Sequence, residues 1–260
     1  FILKSLSLLE KISKHLFEST IWSIGYFGTK DIPKLWIELR SPTKTQWVSF
    51  DISKRMASDI CSFDPSKKIK TWLKGVGNIG LFLRLKSGIN PGIEALEAYD
   101  LASGNLIYEV AITHWVKFTH SHIQVVQEKS LYWINLQSGH FEIPEDPTDE
   151  GSNQFLFENP SHFEENQPGF SDFKLFFKQN FDENIVKAMD CWDGNDKIIF
   201  SYYLYEDGLK NILRVCDKGF ETEHTEIIAE GETIGFNTFQ IFNRTLIYIK
   251  DKHQLLFYEF

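Results

Sequence analysis

The stretch Glu94-Ala-Leu-Glu-Ala-Tyr-Asp100-Leu-Ala-Ser-Gly104 decides the reading of the chain, because four other stretches repeat its form. They are Trp47-Val-Ser-Phe-Asp51-Ile-Ser-Lys54, Ser130-Leu-Tyr-Trp-Ile-Asn135-Leu-Gln-Ser-Gly139, Leu213-Arg-Val-Cys-Asp217-Lys-Gly219 and Leu255-Leu-Phe-Tyr-Glu259-Phe260. Aligned on Asp51, Asp100, Asn135, Asp217 and Glu259, all five carry a large apolar residue four places earlier: Trp47, Leu96, Leu131, Leu213 and Leu255. Each copy reads as a strand running into a turn. The short Asp or Asn side chain can accept hydrogen bonds from backbone N–H groups two residues on and so fix a tight turn. The glycine that follows in three copies supplies the positive φ such turns use.

A second strong strand precedes each copy: Leu35–Leu39, Leu81–Leu85, Ile123–Val126, Ile198–Tyr203 and Leu246–Ile249. Several are apolar at consecutive positions, as required of a strand buried on both faces. Blades of a β-propeller meet that condition, since each small sheet is covered by a neighbour on either side. The anchors are 49, 35, 82 and 42 residues apart, and a four-stranded blade takes roughly 40–50. The expected fold is therefore all-β, one propeller domain over residues 1–260, with five blades and six as the alternative. The 82-residue step is assigned to an insertion at about 144–183, punctuated by Pro144, Pro147, Pro160 and Pro168. Within it, Ser171–Lys178 reads equally as a short helix or an edge strand. The last copy leaves its blade one strand short, and the alternating run Leu3-Lys-Ser-Leu-Ser-Leu8 is expected to supply the missing one and close the ring.

These Asp-x-x-Ser-Gly turns between paired strands resemble the blades of the WD-repeat and quinoprotein-like propeller superfamily. The Trp-Asp dipeptide of WD repeats is absent from the third-strand ends, and Trp192-Asp193 stands elsewhere, before a turn. The Phe-, Ile-, Lys- and Asn-rich character also resembles uncharacterised bacterial propeller-like families. The resemblance implies a fold and no activity.

Composition narrows the function classes. No run approaches the roughly 20 apolar residues of a membrane-spanning helix. Residues 1–12 lack the apolar centre and cleavage site of a signal peptide, which points to the cytoplasm. Cys61, Cys191 and Cys216 have unrelated spacings and read as structural thiols, with neither a disulfide framework nor a metal site. The net charge is −9, of which −8 falls between Pro144 and Glu183, where ten acids accompany two lysines. No basic stripe is visible, so nucleic acid is not an expected partner. The chain is expected to act as a monomer, without a cofactor.

Candidate functional residues come from several patterns. Trp22, Trp72, Trp115 and Trp192 each precede a second strand, so they fall on or beside first strands. Converging at a channel mouth they would form an aromatic platform for a sugar or peptide; otherwise they fill the wedges between blades. His114, His120, His122 and His140 share one candidate blade and read as surface residues, and no metal is assigned to them. Asp190, Asp193 and Asp196 bracket Gly194-Asn195 and read as turn residues, without the spacing of a calcium loop. Glu38, Glu97 and Glu109 interrupt apolar strands and are the expected buried acids, the pair a glycosidase would need. Gly75-Val-Gly77-Asn-Ile-Gly80 lacks a following helix and reads as a hairpin turn. The insertion mixes eight Phe with its ten acids, too aromatic for pure disorder, and is read as a lid or a partner-binding segment. The leading function is a non-enzymatic binding or scaffold propeller recognising a protein or peptide. The alternative is a carbohydrate-binding or carbohydrate-active propeller.

Overall fold

A computed structural model describes residues 12–28, 33–63, 69–86, 92–119, 121–145, 157–232, 234–235 and 238–260. The run expected to close the ring, Leu3 to Leu8, lies outside them. The chain divides into two compact units, Ser19–Phe155 and the combination of Phe1–Glu18 with Leu156–Phe260. The first described strand, β1 (Ile12–Leu16), belongs to the second of these.

The Ser19–Phe155 unit holds three antiparallel sheets in simple up-and-down order. The first is β2 (Thr20–Gly28), β3 (Pro33–Arg40), β4 (Thr45–Asp51) and β5 (Met56–Phe63). The second is β6 (Ile69–Val76), β7 (Ile79–Leu85), β8 (Ile93–Asp100) and β9 (Leu106–Ala111). The third is β10 (His114–Phe118), β11 (His122–Gln127) and β12 (Ser130–Asn135), with a single further bridge from Ile134 to Phe141. The anchors Asp51, Asp100 and Asn135 each end a third strand, in the register the repeat requires. Alternation explains why the middle strands are apolar on both sides. Leu81 and Leu83 of β7 pack with Ile123, Val125 and Ile134 of the third sheet. Phe82 between them points the other way, to Trp47 and Ile60 of the first.

The other unit holds two sheets. One runs β14 (Ser161–Glu164), β15 (Val186–Asp193), β16 (Lys197–Tyr205), β17 (Leu209–Asp217), β18 (Thr222–Gly231). The other has the order β1, β21 (Gln254–Glu259), β20 (Thr245–Lys250), β19 (Phe239–Phe242), β13 (Phe157–Glu158). An N-terminal strand thus does pair with the last strand of the chain, at Ile12–Leu16. The two sheets pack face to face through Ile199, Leu213, Val215 and Ile228 against Phe239, Ile241, Leu246 and Leu256.

The turn chemistry follows the expectation. Asp100 Oδ1 accepts from Ala102 N–H at 3.0 Å and Ser103 N–H at 2.7 Å. Asn135 Oδ1 accepts from Gln137 N–H at 2.9 Å and Ser138 N–H at 3.1 Å. Asp217 Oδ1 accepts from Gly219 N–H at 2.8 Å and Glu221 N–H at 2.9 Å. Gly104 and Gly139 take φ of 71° and 72°, but in the Asp217 copy the positive φ falls on Phe220, at 64°, and not on Gly219. Gly77-Asn78 makes the two-residue hairpin turn between β6 and β7, with φ 59° at Gly77.

The 82-residue step contains no extra sheet among the described residues. Its segment is instead worked into the second unit as β13, β14 and one helix, α1 (Phe170–Phe181). Helix, not edge strand, is the outcome for Ser171–Lys178. Phe170, Phe173, Phe177 and Phe181 recur at three- and four-residue steps and so share one face.

Candidate functional site

Helix α1 starts after Pro168 with Gly169 in a left-handed conformation and carries Asp172 in its first turn, where the helix dipole favours an acid. It ends at Asp182, also left-handed, whose N–H bonds the Phe177 carbonyl. Its aromatic face lies on the sheet face opposite β19–β21. Phe170 and Phe177 are buried there with Ile198, Phe200, Tyr202 and Leu204, consecutive same-face residues of β16. Ion pairs hold both ends. Lys174 Nζ is 2.5 Å from Glu165 Oε1, and Arg214 Nη2 is 2.7 Å from Glu183 Oε1. The Arg214 guanidinium also sits 4.0 Å from the Phe181 ring centre.

Beside its N-terminal half lies a cleft of about 550 Å³. Phe173 and Phe176 form the helix wall, Cys191, Ile198 and Phe200 the floor, and Phe220 the end, 4.8 Å from Phe176 between ring centres. Gly169, Asp172 and Asp193 complete the rim. Asp193 is paired with Lys218. Burial, reinforced by Asp193 and Asp190, pushes the Cys191 thiol up to about 12, so it remains protonated and is a poor nucleophile at neutral pH. The cleft has the size and the apolar lining of a ligand site.

Trp22, Trp72 and Trp115 lie on the first strands of their sheets, β2, β6 and β10, each at or beside a β-bulge, and Trp192 lies on β15, the second strand of its sheet. The register shifts fall between Ile21 and Ser23, Trp72 and Lys74, and Trp115 and Lys117. Their surroundings differ. Trp22 is 61% exposed with Arg40 at 3.9 Å from its ring centre. Trp72 stacks on Trp36 at 5.2 Å and Trp47 at 6.1 Å, within the packing between the first two sheets. Trp115 packs on Phe118, and Trp192 donates its indole N–H to Glu158 at 2.7 Å.

Two of the three expected buried acids are buried: Glu38 is 4% exposed and Glu97 1%. Glu109 is not, with a side chain 41% exposed. Arg84 brings Glu97 and Glu109 together, its Nη1 and Nη2 each 2.7 Å from one of them. Glu97 also binds Lys70 Nζ at 2.6 Å and accepts the Tyr99 hydroxyl at 2.9 Å. Burial works to raise its pKa, but these partners and the two cations hold it below the usual carboxylate range. Glu38 is held at 2.6 Å by Arg40 and at 3.0 Å by Ser23. Glu97 is thus held as a paired anion, unlike the proton donor of a glycosidase pair.

Two expectations need correcting. His122 is not a surface residue: it is buried, with Nε2 3.0 Å from Glu142 and Nδ1 2.8 Å from Ser121 Oγ. His114 and His140 are exposed, and His120 lies outside the described residues. Asp190 is not a turn residue. It is buried within β15, its Oδ1 2.6 Å from His162 Nδ1 and its Oδ2 accepting Thr238 N–H and Oγ1 at 2.8 Å each. This network escaped the sequence reading, since His162 and Thr238 are distant in the chain. It ties the approach to β19 onto the β14–β18 sheet. Among the described residues no group of three or more His, Cys, Asp or Glu could hold a metal ion, and no helix is long and apolar enough to cross a membrane.

No protein-family model and no curated protein matches the chain. It is similar to several solved structures. One is a member of the DUF4221 family from Bacteroides vulgatus, with 12% identity, 96% of each chain covered and a TM-score of 0.30. Another is an oligogalacturonate lyase in complex with manganese, with 10% identity, 92% of this chain and 77% of that chain covered and a TM-score of 0.34. A third is the WD40 domain of coronin from Toxoplasma gondii, with 6% identity, 96% of this chain and 86% of that chain covered and a TM-score of 0.24. Nothing in these likenesses assigns the chain an activity.

Proposed function

We propose that the chain is a non-enzymatic binding module of propeller type that takes a protein or peptide partner in the phenylalanine-lined cleft beside α1. The five sheets would be five blades of one domain, with β1 completing the last. The repeated turns at Asp100, Asn135 and Asp217 support that arrangement, as do middle strands buried on both faces. The observation that carries the binding reading is the cleft itself: about 550 Å³, walled by four Phe and Ile198. Among the described residues, the buried acids Glu97 and Glu38 are engaged by cations and Asp190 by His162.

Random-peptide display against the wild-type chain is expected to enrich sequences with a large apolar residue, and Phe176→Ser is expected to release them. Peptides held equally by wild type and Phe176→Ser would sink the cleft as the site. A second reading, contact with carbohydrate, rests on the 61% exposed Trp22. A glycan-array signal that disappears in Trp22→Ala would favour it over the peptide reading.

A further inference from the structure

We propose that the cleft selects a positively charged apolar group, in a peptide a Lys or Arg beside a large apolar residue. This rests on the cleft being the binding site and adds the class of group it takes. Two observations support it. The walls are aromatic: Phe173, Phe176, Phe200 and Phe220 line the cleft, and aromatic rings attract cations through their quadrupoles once water is displaced. The polar side chains at the rim, Asp172 and Asp193, are both acids. Lys218 neutralises Asp193, whereas Asp172 has no ion-pair partner among the described residues. The N-terminus of α1 works against a cation with roughly half an elementary charge, so the full charge of Asp172 outweighs it.

The test uses three probes of one shape titrated into the full chain by ligand-observed NMR: phenylbutylamine, phenylbutanol and phenylbutyrate. The amine is expected to bind roughly five-fold more tightly than the alcohol, and the carboxylate most weakly. Asp172→Asn, a surface change that leaves the core intact, is expected to reduce the amine to the affinity of the alcohol. Raising salt should weaken the amine and leave the alcohol unchanged. Equal affinity for amine and alcohol, or tightest binding of the carboxylate, overturns the charge selection. Binding of the alcohol that Phe176→Ala weakens would still uphold the cleft in that case. Probes that bind wild type and Phe176→Ala alike, or fail to bind either, overturn the cleft and the charge selection together.

Discussion

Asp217 shows how much of each repeat is decided by one side chain. Its Oδ1 takes two backbone N–H groups, and the chain reverses there between β17 and β18. Asp217→Ala leaves both donors without that partner and is expected to cost about 1–2 kcal/mol. Asp51, with one such bond from Lys54 N–H at 2.9 Å, should cost less when changed in the same way. Urea melts of the two variants measure the difference, and equal losses would mean that the turn bonds do not set the stability. Gly104 is fixed differently: a Cβ there would lie 2.1 Å from the Ile60 carbonyl oxygen, so the glycine is required by space as well as by φ. Glu226 supplies a pH signature. It joins β18 to β20 through Tyr248 Oη at 2.7 Å and Lys250 Nζ at 2.5 Å. Burial raises its pKa, but the His224 ring 3.8 Å away and the hydrogen bonds from Lys250 and Tyr248 bring it down to about 2. With the folded value below the unfolded ~4.3, its stabilisation is complete above that pH and is lost as the pH falls towards the folded value. Thermal melts should therefore show wild type losing more stability than Glu226→Gln between pH ~4.5 and ~2. Parallel curves would exclude Glu226 as a source of that acid sensitivity.

At the scale of elements, α1 covers one face of the β14–β18 sheet. Phe177 is fully buried under it, 4.5 Å from Tyr202 between ring centres. Phe177→Ala is expected to cost about 3–4 kcal/mol and, by loosening the helix, to abolish binding in the cleft. A loss below about 1 kcal/mol in denaturant melts would place α1 outside the core. Strand β1 makes the second prediction. Phe17 N–H bonds the His253 carbonyl at 2.9 Å, and alternation aims the His15 N–H at β21 as well. His15→Pro removes that donor and is expected to lower the melting temperature by roughly 6–12 °C. An unchanged melt would mean that β1 adds nothing to the last sheet. Both elements were only partly legible in the sequence. The N-terminal run at Leu3–Leu8 alternates better than Ile12–Leu16, so pattern alone did not point to the strand that pairs with β21. For α1, the window Ser171–Lys178 left out Phe170 and Phe181, the two residues that complete the helical spacing. Third strands were legible because an Asp or Asn turn is local chemistry, settled within four residues.

For the whole molecule, the sequence carried the class and the repeat but not the site. Glu38 and Glu97 were legible as buried because an acid inside an apolar run is conspicuous. Their partners Arg40, Arg84 and Lys70 were not, since cross-strand neighbours depend on register. The cleft draws on residues from Gly169 to Phe220, across one helix, two strands and a turn, and no local pattern joins them. The eight Phe and ten acids of the segment marked the region, while Phe200 and Phe220 became part of it only through packing. Hydrogen–deuterium exchange of the full chain, with and without a display-selected peptide, tests the cleft most directly. Protection over residues 169–181, 191–200 and 218–221 is expected. Protection confined to the strands carrying Trp22, Trp72 and Trp115 would contradict the cleft as the place where the partner binds.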